Sequence, residues 1–273
     1  MISMKKPTHN SSTVLSVDIG NSTTRAAIVD TGSLICVKKI SIPNTAFDDC
    51  FGFELDSLLA GAPKRICHVN ISSCIKDLYF KSSDICHEKG LSEINLLSVH
   101  ESLPVPFLYH TVSNLGTDRI ADALASNRLY KGHNCLIVDS GTAITIDILD
   151  KEKGFLGGAI LPGIKMQLDS LSSNTDKLPR TDLSSGNHTL PGTSTESCIM
   201  SGVLYGTAGA ITIHVRHFTR RFEDLRVIGT GGAWELTQHL LDFDYVYNQD
   251  LTLLGTALYV PSEGKSCIAR LPD

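Results

Sequence analysis

An apolar run ending in Asp-x-Gly occurs twice in this chain, the second copy 121 residues after the first. Thr13-Val14-Leu15-Ser16-Val17-Asp18-Ile19-Gly20-Asn21-Ser22-Thr23-Thr24 is echoed by Asn134-Cys135-Leu136-Ile137-Val138-Asp139-Ser140-Gly141-Thr142-Ala143-Ile144-Thr145. Each copy leads through small residues into a second apolar run, Ala26–Val29 and Ile146–Leu149. Two such runs joined by a glycine turn read as a β-hairpin. A repeated unit constrains a fold more than any local propensity, so one hairpin in each half predicts two related lobes. A third glycine turn, Gly229-Thr230-Gly231-Gly232, follows another strand-like run, Arg226-Val227-Ile228.

Composition narrows the classes open to such a chain. With 273 residues, 42% apolar and 19% charged, it can bury a sizeable core, which excludes a disordered or collagen-like polymer. A net charge of −5 supplies no global positive field for nucleic acid or anionic lipid. No run of consecutive apolar residues approaches the roughly 18 of a membrane span. The polar opening Met1–Thr13, with Asp18 breaking the first apolar run, does not read as a secretory signal. A cytoplasmic setting is expected, without nucleic-acid or membrane partners. Eight cysteines with no Cys-x-x-Cys pair suit that setting as buried or idle thiols.

Helical periodicity marks Asp118–Tyr130, with Ile120, Ala121, Leu124, Ala125 and Leu129 on one face. It also marks Glu196–Phe222, where Gly202, Gly206 and Gly209 would each cost about 1 kcal/mol in an exposed helix interior. Those glycines suit a close helix–helix contact. Ser170–Gly192, rich in Ser, Thr, Asn and Pro, predicts a loop. The expected division is a polar extension at 1–12, one lobe at 13–130, a second at 131–260 and a tail at 261–273.

A glycine just after a strand lets the backbone approach a ligand and turn N–H groups toward it, and neighbouring hydroxyls suit phosphate. Nucleotide-binding positions are therefore expected at Asp18, Gly20, Asn21, Ser22, Thr23, Thr24 and Arg25 of the first turn, with Gly141 and Thr142 of the second. Aspartates beside phosphate need a compensating cation or a coordinated water. One such turn alone is explained equally well by ordinary hairpin chemistry.

The paired hairpins and the late Gly-Gly turn resemble the actin, Hsp70 and sugar-kinase superfamily. More narrowly, Gly116-Thr117-Asp118-Arg119, Asp139-Ser140-Gly141-Thr142-Ala143 and Gly157-Gly158-Ala159-Ile160-Leu161-Pro162-Gly163 resemble type III pantothenate kinase. Thr175-Asp176-Lys177-Leu178-Pro179 and Leu251-Thr252-Leu253-Leu254-Gly255 follow the same pattern. The resemblance runs from about Val14 to Tyr259. Ser22 stands where the family commonly has Thr, and Asp176 where it usually has Ala.

The resemblance implies an α/β fold of two actin-like (ribonuclease H-like) lobes with a nucleotide cleft between them. It implies transfer of the ATP γ-phosphate to the primary hydroxyl of pantothenate, the first step toward coenzyme A. Asp118 becomes the expected acceptor that orients the attacking hydroxyl, although local sequence alone fits a helix cap. The helix N-terminus and Arg119 should keep it ionised. Gly116, Thr117 and Arg119 join it as expected substrate-binding residues, Arg119 through a forked, charged hydrogen bond. Tyr109 and Thr195 match family substrate contacts, against half-buried packing and helix capping as the plain alternatives. Mg²⁺ is expected with ATP on the Asp18 side. The resemblance adds a monovalent cation, K⁺ or NH₄⁺, at Asp139, and a homodimer to which the glycine-punctuated helix also points.

His214 and His217 sit at helical i, i+3 spacing without an evident third metal ligand, so they read as ordinary core or surface side chains. Arg216, Arg220 and Arg221 read as a solvated helix end. Two rivals remain open: a phosphohydrolase of the same superfamily acting on polyphosphate or a nucleotide, and a non-catalytic nucleotide-responsive regulator.

Overall fold

Each hairpin of the repeat seeds a five-stranded sheet, and the two sheets share one topology. The computed structural model describes residues 12–62, 65–183 and 190–262. The chain divides into one unit of Met1–Pro104, Ser113–Ala125 and Asp250–Asp273, and another of Val105–Val112 and Ser126–Gln249. The boundary expected near residue 130 thus falls between 125 and 126, and the chain returns to its first unit after Gln249. The expected tails at 1–12 and 261–273 lie outside the described residues, apart from Ser12, Pro261 and Ser262.

In the first unit, β1 (Thr13–Ile19), β2 (Thr23–Asp30) and β3 (Ile35–Pro43) form an antiparallel meander. β4 (Ile66–Ser73) and β5 (Ile94–Leu96) add in parallel on the other side of β1. Central β1 is buried along its whole length, as a strand covered on both faces must be. Helix α1 (Phe47–Ala60) buries Phe47, Phe51, Leu55 and Leu58 against Leu15, Val17 and Ile19, and α2 (Lys76–Glu88) adds Tyr79 and Cys86 to the same core.

In the second unit, β6 (Asn134–Ser140), β7 (Ala143–Asp150) and β8 (Gly154–Pro162) repeat the meander. β9 (Leu225–Thr230) and β10 (Val246–Tyr247) add in parallel. The core sets Leu136, Val138 and Ile146 against Trp234 and the long helix. A connecting helix, α3 (Thr117–Leu129), precedes β6 and matches the predicted helix within one residue. Helix α4 (Ile164–Ser173) takes the first four residues of the predicted loop, because Ile164 and Leu168 bury a helical face on Met200 and Val203.

The next helix, α5 (Thr195–Thr219), ends three residues before the predicted Phe222. It is the one helix among the described residues long and apolar enough to cross a membrane, with an 18-residue window of mean hydropathy 1.4. Half of that window is buried within its own unit. The exposed remainder contains Gly202, Gly206 and Gly209, where an added Cβ would meet nothing within 4 Å. A four-residue helix, α6 (Trp234–Thr237), follows β9, and α7 (Leu251–Ala257) packs into the first unit. Ser16 Oγ donates to Leu253 O at 2.7 Å, and Asn70 Nδ2 donates to Thr256 O at 3.0 Å and Tyr259 O at 2.8 Å. The seven described cysteines are all free thiols.

Candidate active site

Strand pairing shows where the sequence repeat breaks. In the first hairpin Ile19 opposes Thr24 and Asp18 opposes Arg25. In the second, Ser140 opposes Ile144 and Asp139 opposes Thr145. The second turn is one residue shorter, so Thr145 occupies the place of Arg25 rather than that of Thr24. Consistently, Gly20 N–H donates to Thr23 O and Gly141 N–H to Ala143 O, each at 3.0 Å. Both glycine amides close their own turns.

The two turns differ electrostatically. Arg25 donates to Asp18 Oδ2 through Nη2 at 2.6 Å and Nε at 3.2 Å. The Asp18 side chain is only 8% exposed, so this pair is a desolvated charge compensated inside the protein. Asp139 instead faces a threonine across the strands. Asn21, Ser22 and Thr23 are exposed at the tip of the first turn. Thr24 is buried, and its hydroxyl donates to Asn44 Oδ1 at 2.8 Å. Of the nucleotide-binding residues expected in this turn, Thr24 and Arg25 therefore serve its internal structure.

The corner after β4 joins this turn to α3. Cys74 N–H donates to Ile19 O at 3.0 Å. Thr117 Oγ1 accepts from Ser73 N–H at 2.8 Å and lies 3.1 Å from Ser72 Oγ. Thr117 was expected to bind substrate, but its buried hydroxyl anchors the helix start to β4. That anchor positions Asp118, whose Oδ1 accepts from Arg119 N–H at 2.8 Å. Cys74 Sγ lies 3.8 Å from Asp118 Oδ2. A Cβ on Gly116 would overlap Asp118 Oδ1, so a larger residue there would force the carboxylate to shift. Arg119 is 6% exposed, so its charge is held in a desolvated setting.

In the second unit, Gly231 adopts φ +89°, a conformation that favours glycine. A Cβ there would overlap Asp139 Oδ1 and Ser140 O. The third glycine turn therefore closes directly on the second Asp-x-Gly turn. Thr230 pairs with Asp139 in register. The hydroxyls of Ser140 and Thr230 are buried without a hydrogen-bond partner, and an oxygen-rich, partly unsatisfied neighbourhood suits a large cation or ordered water. No group of three His, Cys, Asp or Glu side chains suited to a metal occurs among the described residues.

Tyr109 lies in the second unit, beside Phe155 with ring centroids 6.2 Å apart. A Cβ on Gly157 would sit 3.5 Å from its ring. Thr195 is the first residue of α5 and is exposed; the cap is Ser194, in a capping box with Ser197. His214 Nδ1 lies 2.7 Å from Ala210 O on its own helix, as an ordinary helical histidine would. Arg216 pairs with Asp242 at 2.9 Å, both side chains well exposed. A groove of about 620 Å³ between β8 and the end of α5, lined by Leu156, Gly158, Ile213, His217 and Phe222, contains none of the predicted site residues.

Sequence reasoning missed Asn44 and Cys74. Neither belongs to a glycine turn, and only their hydrogen bonds to one reveal them.

The sequence model of the type III pantothenate kinase family matches residues 14–217. A type III pantothenate kinase from Phocaeicola vulgatus is 33% identical over 220 residues, covering 80% of this chain and 85% of that one. One from Legionella pneumophila strain Paris is 29% identical over 251 residues, covering 90% and 97%. The activator of 2-hydroxyisocaproyl-CoA dehydratase from Clostridium difficile, solved with bound ADPNP, superposes with a TM-score of 0.51 at 14% identity. It covers 90% of this chain and 93% of that one, a likeness of fold.

Proposed function

The chain belongs to the type III pantothenate kinase family, and from that premise we propose how its residues divide the work. The enzyme phosphorylates pantothenate with ATP, a step of coenzyme A biosynthesis. The match over residues 14–217 carries this assignment. The pantothenate hydroxyl oxygen attacks the γ-phosphorus, the bond to the β,γ-bridging oxygen breaks, and ADP leaves. Such a loose transition state needs positioned partners more than early deprotonation. Asp118 orients the hydroxyl and receives its proton, supported by the Arg119 N–H bond to its carboxylate, the space left by Gly116 and the Thr117 anchor of the helix start. Arg119 holds the anionic end of the substrate, with Tyr109, Thr195 and the Gly116 backbone as further contacts.

Asn21, Ser22 and Thr23 meet ATP phosphate at the first turn, and Gly141 and Thr142 do so at the second. Magnesium would enter with the triphosphate as its counter-ion and would offset phosphate charge during transfer. Because Arg25 already compensates Asp18, we assign magnesium's direct ligands to phosphate and water rather than to that carboxylate. Asp139 is where we place a monovalent cation, K⁺ or NH₄⁺. The support is the oxygen-rich neighbourhood: Thr145 and Thr230 flank Asp139 on the adjacent strands, and the buried hydroxyls of Ser140 and Thr230 lack partners.

We propose a homodimer formed through the open face of α5, where Gly202, Gly206 and Gly209 admit a close neighbour beside exposed Ile213. A cytoplasmic setting is proposed with it, supported by the burial of half of the α5 apolar window. The net charge of −5 supports the absence of a nucleic-acid partner.

A coupled ADP-release assay with pantothenate and a panel of small alcohols tests the assignment. ADP release that depends on pantothenate is expected. Phosphate release indifferent to it would overturn the assignment in favour of a phosphohydrolase.

A further inference from the structure

Asn44 closes around the first phosphate turn from outside it. Its backbone N–H donates to Ser22 O at 2.9 Å. Its side-chain Nδ2 donates to Gly20 O at 2.7 Å, while Oδ1 accepts from Thr24 Oγ1 at 2.8 Å. One residue thus bonds to alternate positions of the turn, with the exposed Asn21 and Thr23 between them. An amide carries its donor and its acceptor on separate atoms and so makes both bonds at once, whereas an ionised Asp keeps only the acceptor and Leu has neither.

The second unit supplies an internal control. There Pro162 ends β8 and Gly163 follows, as Asn44 follows Pro43 at the end of β3. Gly163 N–H donates to Thr142 O at 3.0 Å, repeating the backbone bond from Asn44 to Ser22. The backbone half of the clamp therefore belongs to the shared fold and needs no side chain. The amide half exists only in the first unit, whose turn is one residue longer and therefore has more freedom to lose. Fixing a backbone residue costs conformational entropy, which a turn clamped beforehand does not lose again when ligand binds.

We propose that the Asn44 side chain is a positioning residue for nucleotide, holding the Gly20–Thr24 turn in its phosphate-binding shape before ATP arrives. The inference rests on the reading of this turn as a phosphate site. It acts through the turn, not by contact with the reacting atoms, so its signature is a selective loss of nucleotide affinity.

The test uses the full chain with Asn44→Asp, which keeps size and the acceptor but loses the donor, and Asn44→Gly, which copies the second unit. Thr24→Val removes the bond from the opposite end. Steady-state kinetics in both substrates, calorimetric titration with MgATP and melting temperatures are measured for each. The expected result is a KM and Kd for MgATP raised about tenfold, the scale of one well-made hydrogen bond. KM for pantothenate should stay within twofold. If Asn44→Gly fails to fold, Thr24→Val decides, because it removes the same bond without adding a charge beside phosphate. MgATP constants within twofold of the parent would overturn the proposal. So would a parallel rise in both KM values with a lowered melting temperature, which would make Asn44 a general scaffold residue. A parent that lacks pantothenate-dependent turnover yet binds MgATP more tightly than Asn44→Asp would defeat the substrate assignment and leave this inference standing.

Discussion

Gly116 and Asp118 share one small volume at the start of α3: the carboxylate folds back over a residue with no side chain, and a single methyl there would collide with Oδ1. The glycine of the Gly-Thr-Asp-Arg run therefore sets the orientation of an acid two residues away. Gly116→Ala should lower kcat at least tenfold while shifting the melting temperature by no more than a few degrees, since the site is half-exposed. Steady-state kinetics beside thermal melts check this. Unchanged kcat would mean that Asp118 does not need the orientation described above.

Asp118→Asn removes the proposed proton acceptor but preserves shape. A fall in kcat of about 10²-fold or more is expected, with MgATP binding retained, as for loss of a positioned base. Rates within a few-fold of the parent would return Asp118 to helix capping.

At Asp139 the variable is the ion. Replacing K⁺ by Na⁺ at constant ionic strength and saturating Mg²⁺ should slow turnover several-fold. Asp139→Ala should be slow in both salts and no longer separate them. An Asp139→Ala variant that still prefers K⁺ would move the cation elsewhere.

The open face of α5 predicts a two-fold assembly. Ile213→Glu, placing a charge on a strongly exposed apolar position of that face, should convert dimer to monomer in light scattering at micromolar concentration. A parent that is already monomeric under those conditions would remove the dimer from the account.

Burial holds the thiols of Cys86 and Cys135 up at about 12. An unfolded thiol ionises near the ordinary value of 9, so between about 9 and 12 the unfolded chain releases protons that the folded one keeps. The stabilisation is complete below pH 9 and is lost as pH rises toward 12. Melting temperature should fall across that window, and the fall should be shallower in Cys135→Ala. Equal slopes would mean that this thiol ionises alike in both states.

How much was legible in the sequence follows from how local each signal was. The repeat of Asp18 and Asp139 gave both hairpins, and the apolar period gave α3 and most of α5. What escaped notice depended on partners distant along the chain. The one-residue difference between the turns, which sets Arg25 against Asp18 but Thr145 against Asp139, appears only in strand register. The anchoring role of the Thr117 hydroxyl was invisible because its partners Ser72 and Ser73 lie 45 and 44 positions earlier. The last turn of α4 read as loop because Ser170–Ser173 is mostly polar, although Ile164 and Leu168 bury the same helix on α5.

The return of the chain to its first unit sets an order of assembly during synthesis. The second unit is complete in sequence once Gln249 has been made, whereas the first lacks α7 until then. Until Leu251–Ala257 emerges, Asn70 and Ser16 hold amide and hydroxyl groups whose acceptors, Thr256 O, Tyr259 O and Leu253 O, do not yet exist. Although its strands leave the ribosome first, the half carrying the first phosphate turn and Asp118 is the last to close. A chain cut just after Gln249 would keep every strand of the second sheet yet leave Ser16 and Asn70 of the first without their partners on α7 and beyond.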